Sequence, residues 1–260
     1  NIILARTPDR LKAGAIGLFF AGIPLGIGGS FLIAGLLGPQ LGWRGCFLMM
    51  AALGIFATLA VSRIRDSAPA RTDLPPVAAQ LGEYWALFRG NPRLRWASLA
   101  IIVLHAHVAT SPFVQLWLHE DKGLDKAAAN SLYGLMFIPC GLIGSIGAGV
   151  LADWAHRRFQ IDRARSSFWM LILLIPFILA YRLLPATSGF FLPGMAASIL
   201  FMTMIYAPLF SVIEEQLPPH LKATATGLNM LVLNILMIGA LALAIGVISQ
   251  NLAAAGSTQS

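Results

Sequence analysis

The sequence predicts an all-α, polytopic membrane helix bundle, and three observations carry that prediction. The first is charge segregation. The 260 residues are 57% hydrophobic and only 11% charged, against roughly 25% charged in an ordinary soluble domain. No Lys, Arg, Asp or Glu occurs in 13–43, 45–62, 96–118, 127–152, 166–181, 183–213 or 223–260. Most of these runs reach the roughly 20 residues that cross a bilayer as a helix. In lipid the backbone must satisfy its own amides, which makes the spans helical. The second is loop asymmetry. Alternate connections carry fourteen Lys and Arg against four. By the positive-inside rule, the N-terminal segment, 63–95, 153–165 and 214–222 are cytoplasmic. The third is an internal echo. Pro8-Asp-Arg-Leu-Lys-Ala-Gly-Ala-Ile-Gly-Leu18 returns 210 residues later as Pro218-Pro-His-Leu-Lys-Ala-Thr-Ala-Thr-Gly-Leu228. Seven of eleven positions match. In both copies a polar turn opens a long apolar run, as an internally duplicated membrane protein requires.

Seven spans follow in order. Span one, about 13–37, is rich in glycine (Gly14, Gly17, Gly22, Gly26, Gly28, Gly29, Gly35), which lets another helix approach closely. Pro24 removes a backbone bond and should kink it. Gly42-Trp43-Arg44 marks the outer interface, and span two runs over 45–62. Residues 63–95 form the long connection. Within it, Leu81, Tyr84, Trp85 and Phe88 have helical spacing and predict an amphipathic helix on the inner membrane surface. Span three covers about 94–118. Asp125 is placed to cap span four, about 127–152. Spans five, six and seven cover 166–184, 188–213 and 222–248. Cys46 and Cys140 lie in apolar runs and read as packing residues.

Because spans one and seven are echoes, one repeat is six spans. The expected division is 1–62 as the end of a first six-helix half (two spans), 63–93 as the cytoplasmic joint, and 94–260 as five spans of the second half. Seven of an expected twelve spans are then present, and the chain reads as a fragment of its parent.

These residues resemble the major facilitator superfamily. Gly149-Val-Leu-Ala-Asp153-Trp-Ala-His-Arg157-Arg158 is similar to that family's cytoplasmic signature G-x-L-a-D-r-x-x-R-R, with Trp154 departing from the usual arginine. Gly42-Trp43-Arg44 with Phe47 resembles the start of the family's sixth helix. The two Pro-x-x-Leu-Lys-Ala turns resemble its fourth-to-fifth and tenth-to-eleventh loops. Span one matches the antiporter glycine motif only in part, so antiport is not inferred. The linker, Trp117-Leu118 and Gly123-Leu124 look most like the spinster-like branch, whose members move lipid-like or organic anionic solutes. The resemblance implies a transporter, active without enzymatic chemistry, in the plasma (inner) membrane. It is expected to be a monomer embedded in the lipid bilayer, with a small-molecule or lipid-like substrate and no nucleic-acid partner.

Candidate contacts follow from polar groups inside apolar runs, which are functional hypotheses by default. His105 and His107 lie deep in span three on different faces. On an α-helix His107, Thr110 and Ser111 share one face, and Pro112 can open the helix beside them. Histidine titrates near neutral pH, so His107 could take a coupling proton or an acidic substrate. Tyr206, beside Thr203 and Phe210, and at longer odds Asn229 and Tyr133, are further substrate or coupling candidates. Gly149, Asp153, Arg157 and Arg158 form a cytoplasmic gating motif. Ion pairs at a wet surface are worth about 0–1 kcal/mol, weak enough to break each cycle. For each residue the alternative is an ordinary packing or helix-end role.

No Gly-x-x-x-x-Gly-Lys loop, zinc-ligand spacing or activated nucleophile occurs, so no cofactor or metal is expected. Three function classes stay open on the residues alone. They are a secondary transporter, a polytopic enzyme using an intramembrane histidine, and a transporter-like sensor or non-functional fragment.

Overall fold

The computed structural model describes residues 20–63 and 75–257, and among them every regular element is helical. The first copy of the echo lies outside the described residues. Among the described residues six helices or helix runs are long and apolar enough to cross a membrane. The chain is therefore an integral membrane protein.

The first of these, α1 (Gly22–Ser62), has 41 residues, or about 60 Å at 1.5 Å per residue, twice the hydrocarbon thickness. It does not run straight. Gly42 adopts φ +63°, ψ 176°, a conformation that only glycine takes without strain. Beyond it the chain folds back, so that Cys46 Sγ lies 4.0 Å from the carbonyl of Ile33, thirteen residues earlier. The two arms of α1 are the expected spans one and two, joined at the Gly-Trp-Arg junction. At that corner the Arg44 guanidinium lies 4.4 Å from the Trp43 ring. The helical pattern is also interrupted at Ala21. Restarting at Gly22 puts Pro24 in the first turn, where its missing N–H is not needed.

The remaining elements are α2 (Val77–Gly90), α3 (Pro92–His105), a 3-10 segment (Ala106–Phe113), α4 (Val114–Glu120), α5 (Lys126–Phe159) and α6 (Arg163–Leu183). They continue with α7 (Phe191–Met204), α8 (Tyr206–Glu215), α9 (Lys222–Val232), a π segment (Leu233–Leu241) and α10 (Ala242–Ser257). Asp125 caps α5 as expected, accepting from the amides of Ala127 and Ala128 at 2.9 and 3.4 Å. Asn91 caps α3 in the same way, with Pro92 in the first helical position. The Leu221-Lys222-Ala223 turn opens α9.

The chain forms two compact units, one of residues 1–74 and 115–208, the other of 75–114 and 209–260. The first is built on the antiparallel seam between α1 and α5. A Cβ on Gly134 would sit 2.6 Å from the Leu32 amide and 2.7 Å from the Gly28 carbonyl. One on Gly35 would sit 2.5 Å from the Ser131 amide, and Gly141 is covered by the Pro24 ring. Glycine here gives what its spacing predicted, direct contact of backbones. On the far side of α5, Gly144 faces Thr203, and on α6–α7 Gly194 lies under Tyr181.

In the second unit α2 docks on α9 through polar side chains. Thr224 donates to the Gln80 side chain, Asn229 Nδ2 donates to the Tyr84 hydroxyl at 3.2 Å, and His220 Nε2 meets Glu83 Oε2 at 3.0 Å. Below them Asn91 donates to Gln216 at 3.1 Å. The helix expected over 77–88 is present, and the residues of its apolar stripe divide between the protein and the outside. Gln80 and Tyr84 are buried, whereas Leu81 and Trp85 are 39% and 49% exposed. The polar side holds the helix to the protein and the apolar side is left outward, where a bilayer surface would cover it.

Candidate functional site

Three spans are broken in mid-length, and the breaks have local causes. Span three passes from α3 into eight residues of 3-10 helix that include Pro112. Proline supplies no amide to the α pattern, and the tighter i to i+3 bonds take over. Span six breaks at Ile205, between α7 and α8. The bond lost there is the one Pro208 would have donated to Met204, four residues back. Thr203 adds to the bend by donating to the carbonyls of Ile199 and Leu200 at 3.0 and 3.3 Å. Span seven carries nine residues of π-helix, a form concentrated at functional positions.

The substrate and coupling candidates divide between the two units, and all but Tyr133 fall at or beside these breaks. In the first unit, Tyr133 is buried with its ring 5.3 Å from Phe31 and 5.4 Å from Phe137. Tyr206 follows the span-six break and stacks on Phe20 at 5.6 Å. In the second unit, His107, Thr110 and Ser111 all lie in the 3-10 segment. This changes their alignment. At three residues per turn His107 and Thr110 remain in line, and Thr110 Oγ1 donates to the His107 carbonyl at 2.8 Å. Ser111 is turned a third of a revolution away, so the face expected for all three is shared by two. His105 is buried at the end of α3. Asn229 is buried and spends its amide donors on Tyr84 and on its own helix, at the carbonyl of Ala225 2.9 Å away.

The gating motif ends α5. Gly149 is buried, Asp153 is half-buried, and Arg157 and Arg158 are exposed in the last turn. The Arg157 Nε donates to the backbone carbonyl of Asp153 at 3.3 Å, and Arg158 lies 5.8 Å from the Phe159 ring. Cations at a helix C-terminus also complement its dipole. The helix stops at Gln160, which takes the left-handed conformation at φ 56°.

Two features escaped the sequence reading. One is the polar docking of α2 on α9 and the turn before it, whose partners are 137–145 residues apart. The other is a cation–aromatic cluster at the far end of α4, α5 and α6, around Trp117, Lys122 and Arg182. In the sequence Trp117 enters only through the spinster-like resemblance, which does not bring Lys122 or Arg182 to it.

An all-helical bundle with broken spans, a duplicated turn in the sequence and a charged helix-end motif defines a polytopic helical membrane protein. The model of the Major Facilitator Superfamily matches residues 1–242, and the chain belongs to that family. It is 26% identical over 232 residues to an MFS-type efflux pump of Mycolicibacterium smegmatis, covering 85% of this chain and 51% of that protein. It also matches the crystal structure of a bacterial homologue of the human lysosomal transporter Spinster, in an inward-facing and unoccupied conformation. That match has a TM-score of 0.64 and 20% identity, covering 92% of this chain and 56% of the other. The chain thus spans about half the length of the relatives it matches, and the latter likeness is one of fold. The family is one of transporters rather than enzymes.

Proposed function

We propose that this chain belongs to a secondary transporter that moves a small organic or lipid-like solute by alternating access, driven by a proton or solute gradient. The observation that carries the reading is the interruption of spans three, six and seven. Breaks at membrane depth are tolerated where local 3-10 or π bonding, hydroxyl side chains or neighbouring helices re-satisfy the backbone, and discontinuous spans recur where helices line a substrate site. His107, Thr110, Ser111 and Tyr206 lie at these breaks, Asn229 just before the π segment, and Tyr133 on α5; these are the proposed substrate or coupling residues. Asp153, Arg157 and Arg158, with Gly149 allowing close packing beneath them, act as a reversible cytoplasmic latch. The halves divide at 63–93, and the N-terminal segment and linker face the cytoplasm of a plasma (inner) membrane. The efflux-pump relative supports outward movement. The carrier works as a monomer.

The test is uptake into proteoliposomes by the full-length protein, with and without a pH gradient, over a panel of lysolipids, organic anions and sugars. Saturable uptake of one class, stimulated by the gradient, is expected. No uptake of any class by correctly inserted protein would overturn the reading in favour of a sensor or an enzyme.

A further inference from the structure

The end of the first unit opposite the gating motif holds a charge arrangement that the transport reading does not use. Trp117, in α4, carries two cations. Lys122 Nζ lies 4.9 Å from its ring centroid and the Arg182 guanidinium 4.7 Å. Tyr181 meets the same indole edge to face at 5.0 Å, and Arg182 also lies 5.3 Å from the Tyr181 ring.

The two cations are not equivalent. Lys122 is committed. It donates to the carbonyls of Leu184 and Arg182 at 2.7 and 3.3 Å, closing the C-terminus of α6. Arg182 has only aromatic faces. Among the described residues no carboxylate forms an ion pair with it. The acids of this end are engaged elsewhere or exposed: Asp125 caps α5, and Glu120 and Asp121 are exposed. The buried Tyr181 hydroxyl, too, has no hydrogen-bond partner. The phenol is sealed from the surface, but the half-buried guanidinium lacks one thing that can reach it, an anionic oxygen.

The surface beside them is apolar. Leu183 is 79% exposed, Leu179 55% and Phe190 59%. A cation and an indole ring at a helix end, above exposed leucine and phenylalanine, match the section of a leaflet from headgroup to acyl chain.

The geometry points to a phospholipid-binding site here. The anionic phosphodiester of a leaflet lipid engages Arg182 beside Trp117 and Tyr181, and its acyl chains lie along Leu179, Leu183 and Phe190. The planar guanidinium fits two phosphate oxygens, which an ammonium does not. A net-anionic lipid is preferred over a zwitterionic one, because the choline of phosphatidylcholine meets the same two cations.

Native mass spectrometry of the full-length protein tests this, with dioleoyl phosphatidylglycerol, dioleoyl phosphatidylcholine and inorganic phosphate as separate additions. Phosphatidylglycerol should be retained about 10-fold more strongly than phosphatidylcholine. Arg182→Gln should abolish that preference, and Arg182→Lys should restore only part of it. Arg182→Lys, with the preference cut about 3-fold, serves if Arg182→Gln does not fold. Equal retention of the two lipids, or an unchanged preference in Arg182→Gln or, where that variant does not fold, in Arg182→Lys, would overturn the site. So would inorganic phosphate displacing phosphatidylglycerol at equal concentration, since a soluble anion would then suffice. The readout is equilibrium binding and does not depend on transport.

Discussion

The α1–α5 seam and the α2–α9 junction hold their helices by opposite means. At the seam the side chains have been removed: Gly28, Gly35 and Gly134 bring backbone against backbone, and Gly141 makes room for the Pro24 ring. At the junction the side chains are kept and paired, Gln80 with Thr224, Glu83 with His220, and Tyr84 with Asn229. In lipid, where apolar burial gives helices no net reason to associate, close packing is the stronger device. Near water, polar pairs can form and separate at small cost. A rigid seam and a releasable junction are therefore what each setting allows.

The largest effect should come from filling the seam. Gly35→Val or Gly134→Val places a side chain against backbone that cannot move aside, and the helices must separate. Overpacking of this kind costs about 1–3 kcal/mol or more. Thermal unfolding in detergent should show a marked loss, whereas Gly29→Ala, with open space around its Cβ, should be neutral or slightly stabilising. Equal effects at both positions would mean the seam is not tightly packed.

Next is the buried pair in the junction. Tyr84→Phe and Asn229→Ala should each cost about 1 kcal/mol, and a double-mutant cycle should return a coupling of similar size. Additive losses would show that the two side chains act separately.

How much of this was legible depends on what each device leaves in the sequence. Glycines at helical spacing announce close packing whatever the partner, so the seam could be read from span one alone. The partner helix could not. Gln80 and Glu83 look like the polar side of a surface helix and Tyr84 like part of its apolar stripe, and their partners lie on a segment far along the chain. Periodicity sees the apolar stripe of Leu81 and Trp85 and says nothing about which polar residue finds a distant mate. The same limit applies to the candidate site. Pro112 marked where span three would open. The switch to 3-10 geometry, which turns Ser111 away from His107 and Thr110, depends on local hydrogen bonding that spacing does not encode.

His107 sharpens the contrast from the functional side. With His107 as the proton-carrying group, transport by the parent changes between pH 5.5 and 8, because an imidazole is cationic on the acid side of neutrality and neutral above it. His107→Gln should flatten that profile. A mutant profile that follows the parent's would remove His107 from the coupling role.

The smallest effect is expected at Glu83 and His220. Both are substantially exposed, at 45% and 34%, and exposed pairs contribute about 0–1 kcal/mol. Glu83→Gln should change unfolding within that range. A larger loss would mean the junction depends on charge rather than on its buried hydrogen bonds.

Counterflow tests the central claim most directly. Proteoliposomes of the full-length protein are loaded with unlabelled solute, identified from the uptake panel, and diluted into a trace of labelled solute. A carrier whose site faces one side at a time should show transient accumulation of label above equilibrium, abolished when the vesicles start empty. Label that only equilibrates, at a rate linear in concentration and indifferent to preloading, would contradict alternating access.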